Sequence, residues 1–286
     1  MEPAMFSVAN LFDPSSSEDE DEEEAFLIRD HEFPGMVLHI REFSFHQVNA
    51  NLLWPGAVLF ADWIVEHEKL FRGRRILELG SGTGALAVFL KKAYDLDITT
   101  SDYDDPEIEK NIRFNCELND LACLPHIRHT WGEKFPEENS TWDLIIASDI
   151  LLYVKQYPNL IKSLSFLFRK FKPAQVLEPI SLSSSEVNLE SERRADGSLI
   201  ASDISEGSNA SDSSQLSDLL KLNVETIKVD ETQKMRKDFV FPSPCFVMSW
   251  RRRIPKEDEA EFFEGCNGVG FAVDDLGSRV YCIYPK

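Results

Sequence analysis

The sequence predicts an α/β fold in which helices cover both faces of a mostly parallel sheet. Strand-like and helix-like segments alternate along the chain, as successive β-α-β units require. The run 144–147 is apolar without interruption, which is typical of strands buried on both faces of a parallel sheet. Near the end of the chain, two apolar segments flank a turn that contains Gly277. This spacing predicts an antiparallel hairpin at the sheet edge.

Local signals position the individual elements. Short strands are expected within residues 25–47, and Pro55 predicts the first turn of an apolar helix at about 57–67. Asp105 predicts the N-cap of another helix, because a proline follows it directly. The other segments are assigned from their apolar patterns: strands at ILELG, LDITTSD, IRHTWG, WDLIIAS, CFVMSWRRR, GFAVDDLG and RVYCIYP, and helices at 85–92, from Pro158 onward and at KEDEAEFFEGCN.

Charge and serine content divide the chain. Its 286 residues include 50 acidic and 30 basic side chains, for a formal net charge of −20. Residues 18–24 are all acidic, and thirteen serines lie between Ser181 and Ser217. Neither stretch can bury enough apolar surface to fold. We therefore expect a disordered acidic tail at 1–24 and one domain at 25–286, which a disordered serine-rich insertion interrupts at about 173–237.

Composition also limits the partners and the location. The negative charge disfavours nonspecific binding to nucleic acid or to anionic membranes. The five cysteines lack the spacing of a metal site, and no apolar stretch suits a signal peptide or a membrane span. His126 and His129 would face opposite sides of a strand, so no metal is expected. We expect a monomer in the cytoplasm, with the nucleus as the alternative location.

The GSGTG turn raises the question of which ligand it holds. A strand, this glycine turn and a helix follow one another, which is the pattern of a nucleotide-type cofactor site. Gly80, Gly82 and Ala85 also satisfy the dinucleotide fingerprint. However, a carboxylate at Glu78 would oppose a pyrophosphate, whereas it would favour S-adenosylmethionine, which carries a sulfonium and an ammonium group. Asp102, at the end of the next strand, could accept both hydroxyls of an adenosine ribose, whether from S-adenosylmethionine or from NAD.

Several motifs carry a resemblance to a known family. The segments ILELGSGTGALAVFLKKA and WDLIIASDILLY, with an acid after the intervening strand, resemble class I methyltransferases, whose sheet is Rossmann-like and seven-stranded. With the added Trp54-Pro55, Trp131-Gly132 and Asp149, they resemble the METTL-type protein lysine methyltransferases of methyltransferase family 16. The resemblance implies S-adenosyl-L-methionine as cofactor, and it assigns cofactor contacts to Trp54, Gly80, Ser81, Gly82, Asp102, Trp131 and Ser148.

The segment after WDLIIAS is where the resemblance implies chemistry. Asp149 takes the family's catalytic position, where its carboxylate could orient a lysine amine, and a structural capping role is the alternative. The family's Asp-x-x-Tyr is one residue longer here, so the resemblance assigns no role to Tyr153. The prolines typical of amide and nucleobase methylases are absent from this segment. Their absence disfavours glutamine and adenine as acceptors.

Together, these observations predict a methyltransferase that acts on the lysine amines of a protein substrate. A small-molecule methyltransferase is the alternative within the same chemistry. An NAD(P)-dependent oxidoreductase fits the glycines but not Glu78, and a non-catalytic adaptor would keep the cofactor fold while the tail and insertion recruit partners. Arg251, Arg252 and Arg253 follow a strand and are expected to be solvated, without a role.

Overall fold

The computed structural model describes residues 26–43, 45–173 and 239–286. The predicted acidic tail at 1–24 and the serine-rich insertion after Pro173 lie outside the described residues. Within the described ranges the chain forms nine strands and five helices, in the order β1 (Phe26–Phe33), β2 (Met36–Phe43), α1 (Pro55–Glu66), β3 (Arg75–Leu79), α2 (Ala85–Tyr94), β4 (Asp97–Asp102), α3 (Pro106–Leu118), β5 (His126–Arg128), β6 (Leu144–Ser148), α4 (Tyr157–Arg169), β7 (Cys245–Ser249), α5 (Lys256–Gly268), β8 (Phe271–Asp275) and β9 (Val280–Pro285).

Seven of these strands form one sheet with the order β5-β4-β3-β6-β7-β9-β8. All neighbouring pairs from β5 to β7 are parallel, and β9 runs antiparallel to both β7 and β8. The predicted mostly parallel sheet and its terminal hairpin are confirmed, with β9 inserted between β7 and the edge strand β8. Because the chain passes from β3 to β4 on one side and returns to β6 on the other, the strand order reverses between β3 and β6.

Helices cover both faces of this sheet, as predicted. Successive residues of a strand point to opposite faces. Ile76 and Ile146 therefore pack against the layer formed by α1, α2 and α3, whereas Leu77 and Ile145 pack against α4 and α5. These buried apolar layers hold the carboxyl ends of the parallel strands in fixed positions.

The strands β1 and β2 form a separate antiparallel hairpin against α3. Asn115 on α3 and Asn119 at its C-cap lie one turn apart and bond the backbone edge of β2. The N–H of Arg41 donates to Asn115 Oδ1 at 2.7 Å, and the N–H of His39 donates to Asn119 Oδ1 at 3.0 Å. Asparagine amides thus act as the neighbouring strand would, and they anchor the hairpin that precedes the loop 45–54.

Two predicted strands are shorter than expected. IRHTWG contributes only β5, because the chain turns at Gly132, whose φ is +84°. CFVMSWRRR contributes only β7, which ends at Ser249. Just beyond it, the N–H of Arg251 leaves the sheet pattern and donates to the carboxylate of Asp149 at 3.0 Å.

The starts of the helices follow their sequence signals. Asp105 caps α3, and its side chain accepts the N–H of Glu107 at 2.8 Å. Pro55 is the first residue of α1, about two residues earlier than the pattern predicts. None of the helices in the described ranges is both long enough and apolar enough to cross a membrane.

Candidate active site

A cavity of about 420 Å³ lies at the carboxyl ends of β3, β4 and β6. This edge, where the strand order reverses, is the place at which open α/β sheets bind ligands. The volume falls within the roughly 300–1,000 Å³ of small-molecule sites. The lining comes from five segments of the chain and comprises Gln47, Val48, Asn49, Ala50, Trp54, Gly80, Gly82, Asp102, Tyr103, His129, Thr130, Trp131, Ser148, Asp149, Ile150, Leu152, Tyr153, Lys155 and Gln156.

Seven of the nine site residues predicted from the sequence lie together on this lining. They are Trp54, Gly80, Gly82, Asp102, Trp131, Ser148 and Asp149. Glu78 and Ser81 are the two that do not line it, because both side chains are buried behind the glycine turn.

The glycine turn brings bare backbone to the cavity. Gly80 and Gly82 have φ of +67° and +53°, in the left-handed region that glycine adopts most readily. A Cβ on Gly80 would come within 2.8 Å of Ile150 Cγ2 and 3.7 Å of the Trp131 ring. A side chain on Gly80 would therefore collide with Ile150, whereas glycine leaves the backbone of the turn facing the cavity, which fits a cofactor held close to the backbone.

Ser81 holds the glycine turn through hydrogen bonds within the chain, and its predicted cofactor contact stays a prediction. Its hydroxyl donates to the carbonyl of Glu78 at 3.2 Å and accepts the N–H of Ser101 at 3.1 Å. Its own N–H donates to the carbonyl of Ser101 at 3.2 Å. Ser81 thus fastens the glycine turn to β4 and fixes the shape of the cavity from behind.

Asp102 presents a carboxylate whose two oxygens each accept one backbone N–H. The N–H of Gly82 donates to Oδ2 and that of Tyr103 to Oδ1, both at 2.7 Å. Burial raises the pKa of this carboxyl, and the two N–H bonds oppose the rise. Each oxygen keeps lone-pair capacity for a further donor. A pair of ribose hydroxyls fits this arrangement.

Glu78 differs from the anionic group assumed from the sequence. Burial raises the pKa of its carboxyl to about 8, and the neighbouring charge of Asp102 adds to the rise. At neutral pH the carboxyl is therefore mostly protonated. The sequence disfavours a dinucleotide because Glu78 would carry a negative charge. The raised pKa of Glu78 weakens that reason. Its Oε2 has no hydrogen-bond partner among the described residues.

The raised pKa of Glu78 gives a test by pH. The folded chain keeps a proton that the unfolded chain, with a pKa near 4.5, releases. The contribution of Glu78 to stability is therefore complete below about pH 4.5 and declines as the pH rises to about 8, by about 1.4 kcal/mol per pH unit. We expect Glu78→Gln to gain stability relative to the parent across this window. Urea unfolding of both proteins at several pH values checks this, and a constant difference between them would refute it.

Asp149 occupies the turn after β6, with φ of +53°. Its side chain is 0% exposed, and three protein donors enclose it. Oδ1 accepts the N–H of Arg251 at 3.0 Å, while Oδ2 accepts the N–H of Gly56 at 2.9 Å and Nη2 of Arg253 at 2.6 Å. This enclosure matches the structural alternative considered for Asp149. Direct contact with an acceptor amine would require Arg253 to withdraw, so the catalytic role stays a prediction.

Two residues that sequence reasoning missed surround Asp149. A Cβ on Gly56 would lie 2.4 Å from Asp149 Cγ, so only glycine fits at this position. Its place after Trp54-Pro55 is a signal that could have revealed it. Arg253, expected to be solvated, instead pairs with Asp149 and places its guanidinium carbon 4.7 Å from the Trp54 ring centroid. Nothing in a run of three arginines shows which one turns inward.

On the opposite wall, a small network holds Trp131. His129, to which the sequence assigns no role, is buried and lines the cavity, and burial lowers its pKa. Its Nε2 shares a hydrogen bond of 3.0 Å with the hydroxyl of Ser163, which also accepts the N–H of Gly132 at 3.0 Å. The turn that carries Trp131 is fixed by these bonds.

Tyr153 lines the mouth of the cavity despite the extra residue before it. The residue is 45% exposed, and its hydroxyl accepts a hydrogen bond from Nδ2 of Asn49. Asn49, with φ of +58°, also accepts the indole N–H of Trp54 at its carbonyl, at 3.0 Å. The loop before α1 and the loop after β6 therefore meet across the cavity.

No group of three or more His, Cys, Asp or Glu side chains within the described ranges is arranged to hold a metal ion.

Comparison with known proteins identifies relatives of this chain. The protein N-terminal and lysine N-methyltransferase efm7 of Aspergillus fumigatus is 27% identical over 157 residues, covering 50% of this chain and 60% of that protein. The histone-arginine methyltransferase METTL23 of Xenopus laevis is 26% identical over 140 residues, covering 48% and 60%. The electron transfer flavoprotein beta subunit lysine methyltransferase of Danio rerio is 31% identical over 99 residues, covering 35% and 37%. The chain thus matches about 60% of the length of the first two relatives.

A model of the family described as lysine methyltransferase matches residues 32–178, which is just over half of the chain. This match includes the glycine turn, Asp102, Trp131 and the segment with Asp149. The chain therefore belongs to the lysine methyltransferase family.

Proposed function

We propose that this protein binds S-adenosylmethionine and transfers its methyl group to lysine amines of a protein substrate. The observation that carries the proposal is the cavity at the reversal of strand order, where a bare glycine turn and the carboxylate of Asp102 face the same space. Membership in the lysine methyltransferase family supports the choice of chemistry and of acceptor.

The residues on the β3 and β4 side are suited to hold the cofactor. Gly80 and Gly82 allow close approach to the backbone, and Asp102 has acceptor capacity for two ribose hydroxyls. Trp131 supplies an apolar wall next to Gly80. When bound, S-adenosylmethionine supplies a methyl carbon on a positively charged sulfur, which leaves as a neutral thioether.

Around the mouth, the chain's own residues can position an amine. Direct displacement needs the nucleophile aligned, water excluded and its lone pair free. Trp54, Leu152 and Tyr153 give an apolar rim, and the Asn49 to Tyr153 hydrogen bond sets its width. The carboxamide oxygen of Asn49 can accept a hydrogen bond from an acceptor amine.

We propose in addition that Asp149 acts as a positioning residue. Its carboxylate is enclosed, so it influences transfer through the groups that it holds. Gly56 is the second residue of α1, two residues after Trp54, and Arg253 covers the Trp54 ring. Asp149 thus fixes the wall that carries Trp54.

Binding tests the cofactor assignment and the oxidoreductase alternative together. Calorimetric titration with S-adenosylhomocysteine is expected to give saturable binding at one site, and titration with NADH is expected to give none. Binding of NADH without binding of S-adenosylhomocysteine would replace the methyltransferase proposal with an oxidoreductase.

Replacing Asp102 should weaken the cofactor site. Asp102→Ala removes the acceptor for the ribose, and we expect S-adenosylhomocysteine to bind about ten- to a hundredfold more weakly, since a bond to a charged acceptor contributes roughly 1.5–3 kcal/mol. Asp97→Ala is the matched control, because Asp97 begins the same strand and pairs with Arg75 at 3.5 Å, away from the cavity. Equal affinity in both variants would remove Asp102 from the ribose role.

A further inference from the structure

We propose that Arg253 is a positioning residue of the active site, which fixes the plane of the Trp54 ring and thereby the shape of the cofactor cavity. This inference rests on the proposed function. It assigns a role in the cavity wall to a residue that does not itself line the cavity.

The first observation is the ion pair. Arg253 Nη2 lies 2.6 Å from Oδ2 of Asp149, whose side chain is 0% exposed, while the side chain of Arg253 is 26% exposed. A buried carboxylate needs such a partner, because an unpaired charge is costly to enclose. The guanidinium is therefore held in place by more than packing.

The second observation is how differently the three consecutive arginines are used. Arg251 offers its backbone N–H to Asp149. Arg252 turns away and pairs with Glu259 on α5. Arg253 alone of the three lies over the Trp54 ring, at 4.7 Å from the guanidinium carbon to the centroid. The chain path after β7 thus directs one specific guanidinium to the indole.

The third observation is that the indole is held on its face and on its edge. The guanidinium covers the face, and the indole N–H donates to the carbonyl of Asn49 at 3.0 Å. Oδ2 of Asp149 also accepts the N–H of Gly56, so the same oxygen anchors both Arg253 and the start of the helix after Trp54. Removing the planar group should leave the indole free to tilt into the cavity.

Replacing Arg253 with lysine tests the planar guanidinium separately from the positive charge. Arg253→Lys keeps a cation for Asp149 but loses the planar guanidinium. We expect its unfolding equilibrium constant to rise by about threefold and its affinity for S-adenosylhomocysteine to fall about fivefold, losses that a cation–π contact of ordinary strength can produce. Arg252→Lys is the matched control and should bind like the parent.

The double variant tests whether the effect passes through Trp54. In a Trp54→Leu background, Arg253→Lys should cause no further loss of affinity. A fivefold loss that persists in that background would overturn the proposal, as would parent-like binding by Arg253→Lys itself.

A failure of the proposed function is recognised separately. If the parent does not bind S-adenosylhomocysteine, the proposed function is wrong. The coupling between Arg253 and Trp54 is then measured by urea unfolding of the parent, Arg253→Lys, Trp54→Leu and the double variant. Non-additivity of about threefold in the unfolding equilibrium constant supports the Arg253 to Trp54 contact, and additive effects overturn it.

Discussion

Asp149→Asn is expected to lower methyl transfer about a hundredfold or more and to lower the free energy of unfolding by about 3 kcal/mol in the same protein. The carboxylate accepts three donors, whereas an asparagine offers one oxygen and turns an amide N–H₂ toward another donor. The variant also leaves Arg253 without an anionic partner. Because both consequences loosen the wall that carries Trp54, binding of S-adenosylhomocysteine should weaken as well.

The paired measurement is a single-turnover rate and a urea unfolding curve on one preparation. Asp143→Asn is a suitable control, since Asp143 lies just before the opposite end of β6 and accepts the N–H of Arg75 at 3.0 Å. Asp143→Asn should lower the free energy of unfolding without a comparable loss of S-adenosylhomocysteine binding. A hundredfold slower rate for Asp149→Asn with parent-like stability and binding would instead support direct contact between Asp149 and the acceptor amine.

Gly56→Ala is expected to be nearly as damaging, although it adds only one methyl group. The new Cβ would lie 2.4–2.5 Å from the carboxyl atoms of Asp149, and that carboxyl cannot move aside because three donors hold it. We expect a loss of about 2–3 kcal/mol in unfolding free energy, together with weaker binding of S-adenosylhomocysteine.

Gly268→Ala provides the comparison, because nothing lies within 4 Å of a Cβ built at that helical glycine. It should be neutral or slightly stabilising. If both glycine variants unfold at the same urea concentration, the tight contact between α1 and Asp149 is not a constraint on this protein.

The sheet and the cofactor edge could be predicted because their signals are local. The glycines of the turn, the proline at the start of α1 and the Asp105 cap each act on a few neighbouring residues, and the structure has all three features. The position of the cavity then follows from topology, because parallel strands end at one edge of the sheet.

The remaining features depend on contacts between distant parts of the chain, which no local pattern records. Ser81 bonds β4 twenty residues away, and Arg253 pairs with Asp149 across 104 residues. The pKa of Glu78 depends on how completely the fold buries it. The sequence could therefore identify the type of these side chains, but not whether each faces the ligand or supports it from behind.

Isotope labelling tests the proposed lysine methylation. The protein is incubated with a cell lysate and S-adenosylmethionine that carries a radiolabelled methyl group, and labelled protein is hydrolysed to amino acids. The proposed function predicts label in N-methylated lysine, reduced at least tenfold when Asp102→Ala replaces the parent at limiting cofactor. Label confined to small molecules or to methylated arginine, or no label above that of heat-inactivated protein, would contradict it.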